Sequence, residues 1–304
     1  MTKLALGGVL PASPIALGCM RMAALDESSA DKVVHTALEN GIDFFDHADI
    51  YGGGRSEELF GQVLKNNPGL REKIVLQSKC GICKGFYDAS KEHILEAADG
   101  ILKRLGVEYL DTLLLHRPDA LMEPEEVAEA FETLHRTGKV RYFGVSNENA
   151  GQIELLQQAV PQKLIINQLQ FSMAHTGLVD EGINVNVHSD HAVMRDGSVL
   201  NYCRLHGISV QAWSPFQYGM FEGVFMGSDK YPKLNEEIRK TAEAHGVTDS
   251  AIAVAWILRH PAKIQTIIGS MNPERIADIA KAADVKLSRQ EWYGLYLAAG
   301  NPLP

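Results

Sequence analysis

Four side chains in this sequence could run proton chemistry together: the carboxylate of Asp46, the phenol of Tyr51, the amine of Lys79 and the imidazole of His116. Each stands at or just beyond the end of a short apolar run. Asp46 closes Gly41-Ile42-Asp43-Phe44-Phe45, and Tyr51 follows shortly after, ahead of Gly52-Gly53-Gly54. Lys79 ends Lys73-Ile74-Val75-Leu76-Gln77-Ser78, and His116 ends Leu110-Asp111-Thr112-Leu113-Leu114-Leu115. Such a set suits reduction of a carbonyl by hydride transfer, which needs a proton donor at the developing alkoxide. A free tyrosine has a pKa of about 10, a poor match to neutral pH. A nearby ammonium lowers that value and stabilises negative charge on the oxygen. In this scheme Asp46 neutralises and positions Lys79 in a poorly solvated site. Neutral His116 directs the substrate oxygen toward Tyr51 and shares the donor work.

The elements that must bring these groups together alternate along the chain. A hairpin, Leu4-Ala5-Leu6 turning at Gly7-Gly8 into Val9-Leu10, comes first. Strand-like runs follow at 15–18, 42–46, 73–79, 109–116, 140–146, 164–168, 208–213 and 266–268. Helical periodicity fills the intervals at 28–40, 56–65, 90–105, 125–137, 149–159, 197–206, 234–245 and 250–259, with two more helices at 273–283 and 289–299. The strands read as continuous apolar runs with little alternation, as expected of parallel strands buried on both faces. Strands separated by helices give right-handed βαβ units, and eight such units closing on themselves make a (β/α)₈ TIM barrel. A doubly wound sheet would carry GxGxxG after its first strand, and no GxGxxG occurs. The expectation is one α/β domain over residues 1–304, a (β/α)₈ barrel with an N-terminal β-hairpin and an extra C-terminal helix. Chemistry in such a barrel sits at the C-terminal mouth. Asp46, Lys79 and His116 end strands two, three and four, and Tyr51 lies in the loop after strand two, so all four reach one rim.

The whole chain sets outer bounds. It has 304 residues, 45% hydrophobic and 22% charged, a globular composition with enough length for a large core. The formal net charge of −9 and the absence of a Lys/Arg cluster argue against nucleic acid or an anionic membrane as partner, while a small anionic ligand needs only a local positive site. The apolar start, Leu4 to Leu17, is broken by Pro11 and Pro14 and has one basic residue, so a hairpin explains it better than a signal peptide. No run approaches the roughly 20 residues of a membrane span. These features lead to the expectation of a cytoplasmic protein.

The stretch Asp46-His47-Ala48-Asp49-Ile50-Tyr51-Gly52, with Ser56-Glu57, Ser78-Lys79-Cys80-Gly81 and His116-Arg117-Pro118-Asp119, resembles the aldo-keto reductase pattern, with its nearest likeness in the bacterial YdhF-like group. The resemblance runs from near residue 15 to the C-terminus. It implies a barrel that binds a nicotinamide dinucleotide without a Rossmann domain, and Asp46, Tyr51, Lys79 and His116 as catalytic tetrad. It implies that Ser146, Asn147 and Gln168 hold the nicotinamide carboxamide and that Trp213, followed by Ser214 and Pro215, stacks on the ring. Met20, Arg21 and Asp46 join the implied cofactor-binding set. At the phosphate end stand Ile268, Gly269, Ser270 and Arg275, where a helix N-terminus and a guanidinium favour an anion. In the family the arginine matching Arg275 pairs with the adenosine 2′-phosphate, which implies NADP. Gly269 stands where many members have Lys and Ile279 where many have Asn, so NAD remains the less favoured alternative.

Other features have plainer readings. Cys80-Gly81-Ile82-Cys83 is a lone CxxC without a second pair, read as two ordinary thiols in a loop, and no metal is expected. Gly52-Gly53-Gly54 lacks the Lys-Ser/Thr of a phosphate loop and is read as flexibility that lets Tyr51 reach the site. The polar segment 175–198, with His188-Ser189-Asp190-His191, is read as a solvated loop, and Met20, Tyr87, Phe216 and Tyr218 as pocket-shaping residues. The resulting expectation is an NADP-dependent oxidoreductase reducing aldehyde or ketone carbonyls to alcohols with Tyr51 as general acid, acting on a small-molecule carbonyl substrate and compatible with a monomer. The alternative is a nicotinamide-nucleotide-binding regulatory or sensor protein with little turnover. A metal-dependent hydrolase barrel ranks third, because Lys79 and Tyr51 are poor ligands.

Overall fold

Short apolar runs and stretches of 3.6-residue periodicity alternate along this chain, and the computed structural model, which describes residues 1–304, turns that alternation into a closed barrel. An N-terminal antiparallel hairpin pairs β1 (Leu4–Leu6) with β2 (Leu10–Ala12). The barrel begins with β3 (Ile15–Gly18), β4 (Phe44–Asp46) and β5 (Val75–Cys80). A small hairpin, β6 (Ile82–Cys83) with β7 (Phe86–Tyr87), follows at the mouth. The barrel continues with β8 (Leu110–Leu115), β9 (Val140–Ser146), β10 (Leu164–Gln170), β11 (Ser209–Trp213) and β12 (Gln265–Ile268), which pairs back onto β3. All eight barrel strands are parallel to their neighbours. The fold is the expected (β/α)₈ barrel.

The helices are α1 (Glu27–Glu39), α2 (Arg55–Asn66), α3 (Lys91–Leu105), α4 (Pro124–Arg136), α5 (Ala150–Ala159), α6 (Gly177–Ile183), α7 (Val199–His206), α8 (Pro232–His245), α9 (Asp249–Leu258), α10 (Pro273–Ala280) and α11 (Arg289–Ala298). Their starts are written locally. The Asp26 carboxylate accepts from Ser29 N–H ahead of α1, and Ser90 accepts from His93 N–H ahead of α3. Asn149 with Gln152 and Ser288 with Glu291 form reciprocal caps on α5 and α11. Proline opens α4, α8 and α10. No helix is long and apolar enough to cross a membrane.

Burial sorts the interior into three zones. Between barrel and helices lies a large apolar core. At the N-terminal end, Leu6, Leu10 and Ala12 of the hairpin pack onto inward-facing Phe44, Val75, Leu114, Ile166 and Ile267 and stopper the barrel. Between that stopper and the C-terminal mouth the lumen is polar: Gln77, Gln168, Gln211 and Gln265, one from each of four strands, are buried and hydrogen-bonded to one another or to near neighbours. Outside the barrel, α9 is apolar on all sides because β12 covers one side and α8 another. Its Trp256 stacks on Trp292 of α11 at 4.7 Å. Each indole N–H donates to the other residue's carbonyl at 3.0 Å, which docks the extra C-terminal helix.

Several boundaries differ from the sequence expectation. Ile42 and Asp43 precede β4, since Asp43 accepts from Ser13 N–H and turns the chain into the barrel base. The segment 175–198 is not a plain loop: it holds α6 and a 3-10 turn, Asp190–Ala192. Residues 82–87 form the β6–β7 hairpin, so Cys83 belongs to a strand and Cys80 to the buried end of β5.

Candidate active site

Gln77 and Lys79, two apart on β5, face the same inner side, and the parallel register sets Asp46 of β4 beside Gln77. Lys79 is wholly buried. Its Nζ donates to Asp46 Oδ1 at 2.6 Å and to the His47 carbonyl at 2.6 Å. The same Oδ1 accepts from Gln77 Nε2 at 2.7 Å and Gln168 Nε2 at 3.1 Å. The glutamine belt thus holds the carboxylate that holds the ammonium. Burial opposes the charge of Lys79, but Asp46 and the Tyr51 phenol outweigh it, and the pKa rises above the usual lysine value. The amine stays protonated.

Tyr51 and His116 cap this pair. The Lys79 Nζ lies 5.1 Å from the Tyr51 ring centroid. The His116 ring meets the Tyr51 ring edge-on, centroids 6.1 Å apart. Sequence reasoning expected the ammonium to lower the phenol pKa. Lys79 does pull it down, but burial is the larger effect and the net shift is upward from 10. The phenol is therefore held as a protonated donor. Burial first, then the charges of Lys79 and Arg117, push the His116 pKa well below 6.5, so the imidazole is neutral as expected.

The glycines after Tyr51 hold backbone that other residues rarely adopt. Tyr51–Gly54 form a kinked turn whose glycines all hold left-handed backbone, φ being 61° at Gly52, 65° at Gly53 and 93° at Gly54. A Cβ on Gly52 would lie 2.4 Å from Ala23 Cβ, and one on Gly54 2.8 Å from Arg104 Cδ. Behind the site, buried Glu57 accepts from Ser78 Oγ at 2.6 Å and from Arg104 Nε at 2.7 Å, tying α2 to β5 and α3. His47, which sequence reasoning did not weigh, is buried with neither ring nitrogen partnered, and burial, then Lys79, push its pKa down to about 3. Its ring packs edge-on against Phe60 as apolar filling.

The site opens onto a cavity of about 540 Å³. Asp46, Tyr51 and His116 line it directly, while Lys79 supports them from below. Of the residues implied for the cofactor, Met20, Arg21, Ser146, Asn147, Gln168, Trp213, Ser214, Pro215 and Gly269 also line it. Ile268, Ser270 and Arg275 do not: Ile268 is buried, and Ser270 and Arg275 sit outside the cavity around the start of α10. The Trp213 indole donates to Asn147 Oδ1 at 3.2 Å, and Asn147 Nδ2 donates to Ser146 Oγ at 2.8 Å. Asn147 and Ser214 both hold left-handed backbone, φ 62° and 51°, which turns the strand ends into the mouth. Arg21 Nη1 reaches the Gly269 carbonyl at 3.3 Å across the rim.

The outer wall is apolar. Met20, Tyr87 and Phe216 take part as expected, but Tyr218 packs outside against Tyr231 and Lys230. Ile50, Ile82, Met220, Phe221 and Val224 complete the wall and were not anticipated, because loops that carry no periodicity bring them in. Arg117, next to His116 in the sequence, also lines the cavity, with its guanidinium 5.6 Å from the Trp213 ring. Gln77, Gln211 and Gln265 were also missed. A glutamine recurring inside otherwise apolar strands was the available signal.

The Aldo/keto reductase family model matches residues 14–295. A Novosphingobium aromaticivorans protein named 6-dehydroglucose reductase is 37% identical over 302 residues, covering 96% of this chain and 93% of its own. Oxidoreductase YdhF of Escherichia coli is 36% identical over 271 residues, covering 86% of this chain and 84% of its own. The crystal structure of an aldo-keto reductase from Klebsiella pneumoniae in complex with NADPH superposes with a TM-score of 0.78 at 26% identity, covering 100% of this chain and 96% of that one.

Proposed function

The chain belongs to the aldo/keto reductase family, and from that premise we propose that it reduces aldehyde or ketone carbonyls to alcohols with NADPH, Tyr51 being the general acid. The observation that carries this reading is the buried Lys79–Asp46 pair directly beneath Tyr51 and His116 at the floor of one apolar cavity. The Klebsiella pneumoniae relative bound to NADPH supports the cofactor, and the residues here fit it. A Cβ on Gly269 would meet only Arg21 Nη1, at 3.8 Å, leaving an open approach to the rim. Arg275 is exposed with no acidic partner, and no protein donor reaches Gln168 Oε1, which is left for an amide N–H. When bound, the reduced nicotinamide supplies the hydride.

The protein's own groups handle the proton. Tyr51 donates to the carbonyl oxygen as negative charge develops there. The phenol's upward-shifted pKa keeps it loaded, and Lys79 stabilises the phenolate left behind. Asp46 and the glutamine belt hold the ammonium without reorganisation. Neutral His116 orients the substrate oxygen. Ile50, Ile82, Tyr87 and Phe221 give the substrate's carbonyl an apolar surround at the mouth.

Tyr51→Phe should lower kcat by about 100-fold or more while NADPH Kd is unchanged in fluorescence titration; full turnover would end the assignment. Arg275→Ala should weaken NADPH by roughly 10-fold and leave NADH binding as it was; an equal loss for both would remove Arg275 from recognition of the 2′-phosphate. The similar protein named 6-dehydroglucose reductase makes oxidised sugars the first carbonyl class to assay.

A further inference from the structure

Beside the mouth, the β6–β7 hairpin brings together three side chains that take no part in the chemistry above. Cys83 sits on β6, Asp88 in the connection after β7, and His93 in the first turn of α3. Their donor atoms all lie within 4.8 Å of one another, with Cys83 Sγ and His93 Nε2 3.9 Å apart. Neither the sulfur nor the imidazole has another hydrogen-bond partner. The cluster is also prepared by its surroundings. Asp88 N–H donates to the Gly81 carbonyl at 3.0 Å, closing the hairpin, and Asp88 Oδ1 accepts from Ser90 N–H at 2.9 Å. Ser90 in turn caps α3 and sets the first turn that carries His93. Cys83 is half-buried, whereas Cys19, Cys80 and Cys203 are fully buried, so it is the thiol that solvent can reach.

We propose that Cys83, Asp88 and His93 bind one thiophilic divalent cation of the zinc class, which pins the β6–β7 hairpin to α3. The donor set argues the class: a thiolate and an imidazole select zinc-like ions over magnesium or calcium, and one carboxylate completes three protein ligands with a fourth position open to water. Zinc bonds of about 2.3 Å to sulfur and about 2.0–2.1 Å to nitrogen place tetrahedral donors roughly 3.3–3.6 Å apart. The observed spacing reaches that by side-chain rotation of about 1 Å. Binding exchanges the Cys83 S–H bond for a sulfur–metal bond and releases the proton to water. The same hairpin carries Ile82 and Tyr87, both of which wall the substrate cavity, so the ion would fix that wall. The site stands independently of the reaction.

Cobalt(II) titration of the full-length, reduced, metal-stripped protein tests it. The expected result is one equivalent bound with a near-ultraviolet thiolate-to-cobalt band and intense tetrahedral visible bands, displaced by zinc(II). Cys83→Ser should abolish the thiolate band, and His93→Ala should weaken binding by roughly 10-fold or more. Because both side chains are only half-buried and belong to no core cluster, circular dichroism should stay native. Hydrogen exchange at the amides of 82–87 should slow with zinc(II) in the wild type and not in Cys83→Ser. Absence of a stoichiometric band, or a band that persists in Cys83→Ser, overturns the site; unchanged exchange overturns the clamp.

Discussion

Glu148 and Lys79 face the same problem, a charge moved out of water, and resolve it in opposite ways. Lys79 keeps its charge because Asp46 and the His47 carbonyl receive it. Glu148 is 2% exposed, neither of its carboxylate oxygens has a partner, and burial alone pushes its pKa up to about 7. A carboxyl raised above its unfolded value of about 4.3 binds a proton on folding, so its contribution to stability is lost as pH rises from the unfolded to the folded value. Glu148→Gln should therefore be stabilised relative to wild type, by about 1 kcal/mol at about pH 5 and by about 3.5 kcal/mol at about pH 8. Urea unfolding at both pH values measures this; a gain independent of pH would mean that the oxygens find partners. Residue type and position at the ends of apolar runs singled out Asp46, Tyr51, Lys79 and His116, and the fold brings the four together at one rim. Glu148 and His47 were not legible, since their behaviour depends on burial, which tertiary packing decides.

At the scale of elements, barrel strands were legible as apolar runs and helices by their caps, whereas the pieces shaping the mouth were not. The β6–β7 hairpin is too short for periodicity, and α6 lies in a polar segment that reads as loop. The turn after Tyr51 is the sharpest case: three glycines signal freedom in sequence, and in the fold all three hold left-handed backbone in a kinked turn. Gly52 has to lack a Cβ twice over, for its φ of 61° and for the approach of Ala23. Gly52→Ala should then displace Tyr51 from Lys79 and His116. A shift of about 1 Å at a reacting group lowers rate by up to about 100-fold. The expected outcome is kcat reduced by about 10-fold or more with NADPH affinity retained; a kcat equal to wild type would mean the turn absorbs the methyl elsewhere.

Over the whole molecule the barrel separates what stabilises it from what reacts. Parallel strands direct every C-terminal end to one rim, where Asp46, Lys79 and His116 converge, and every N-terminal end to the other, where the β1–β2 hairpin fills the lumen. Between them lies the glutamine belt, its side chains hydrogen-bonded to one another and to Asp46, so a perturbation at the base reaches the mouth only by deforming that polar network. Leu6 is the test of that separation. It is wholly buried among Phe44, Val75, Leu114 and Ile166. Leu6→Ala removes about three carbons from a site too constrained to collapse and should lower stability by about 3 kcal/mol, visible as a fall of several degrees in Tm. Below the transition its kcat/KM should match wild type, because the belt keeps Asp46 Oδ1 and Lys79 Nζ in register. A Leu6→Ala enzyme that is folded yet slow would show that the two ends are mechanically coupled and that the belt transmits strain rather than blocking it.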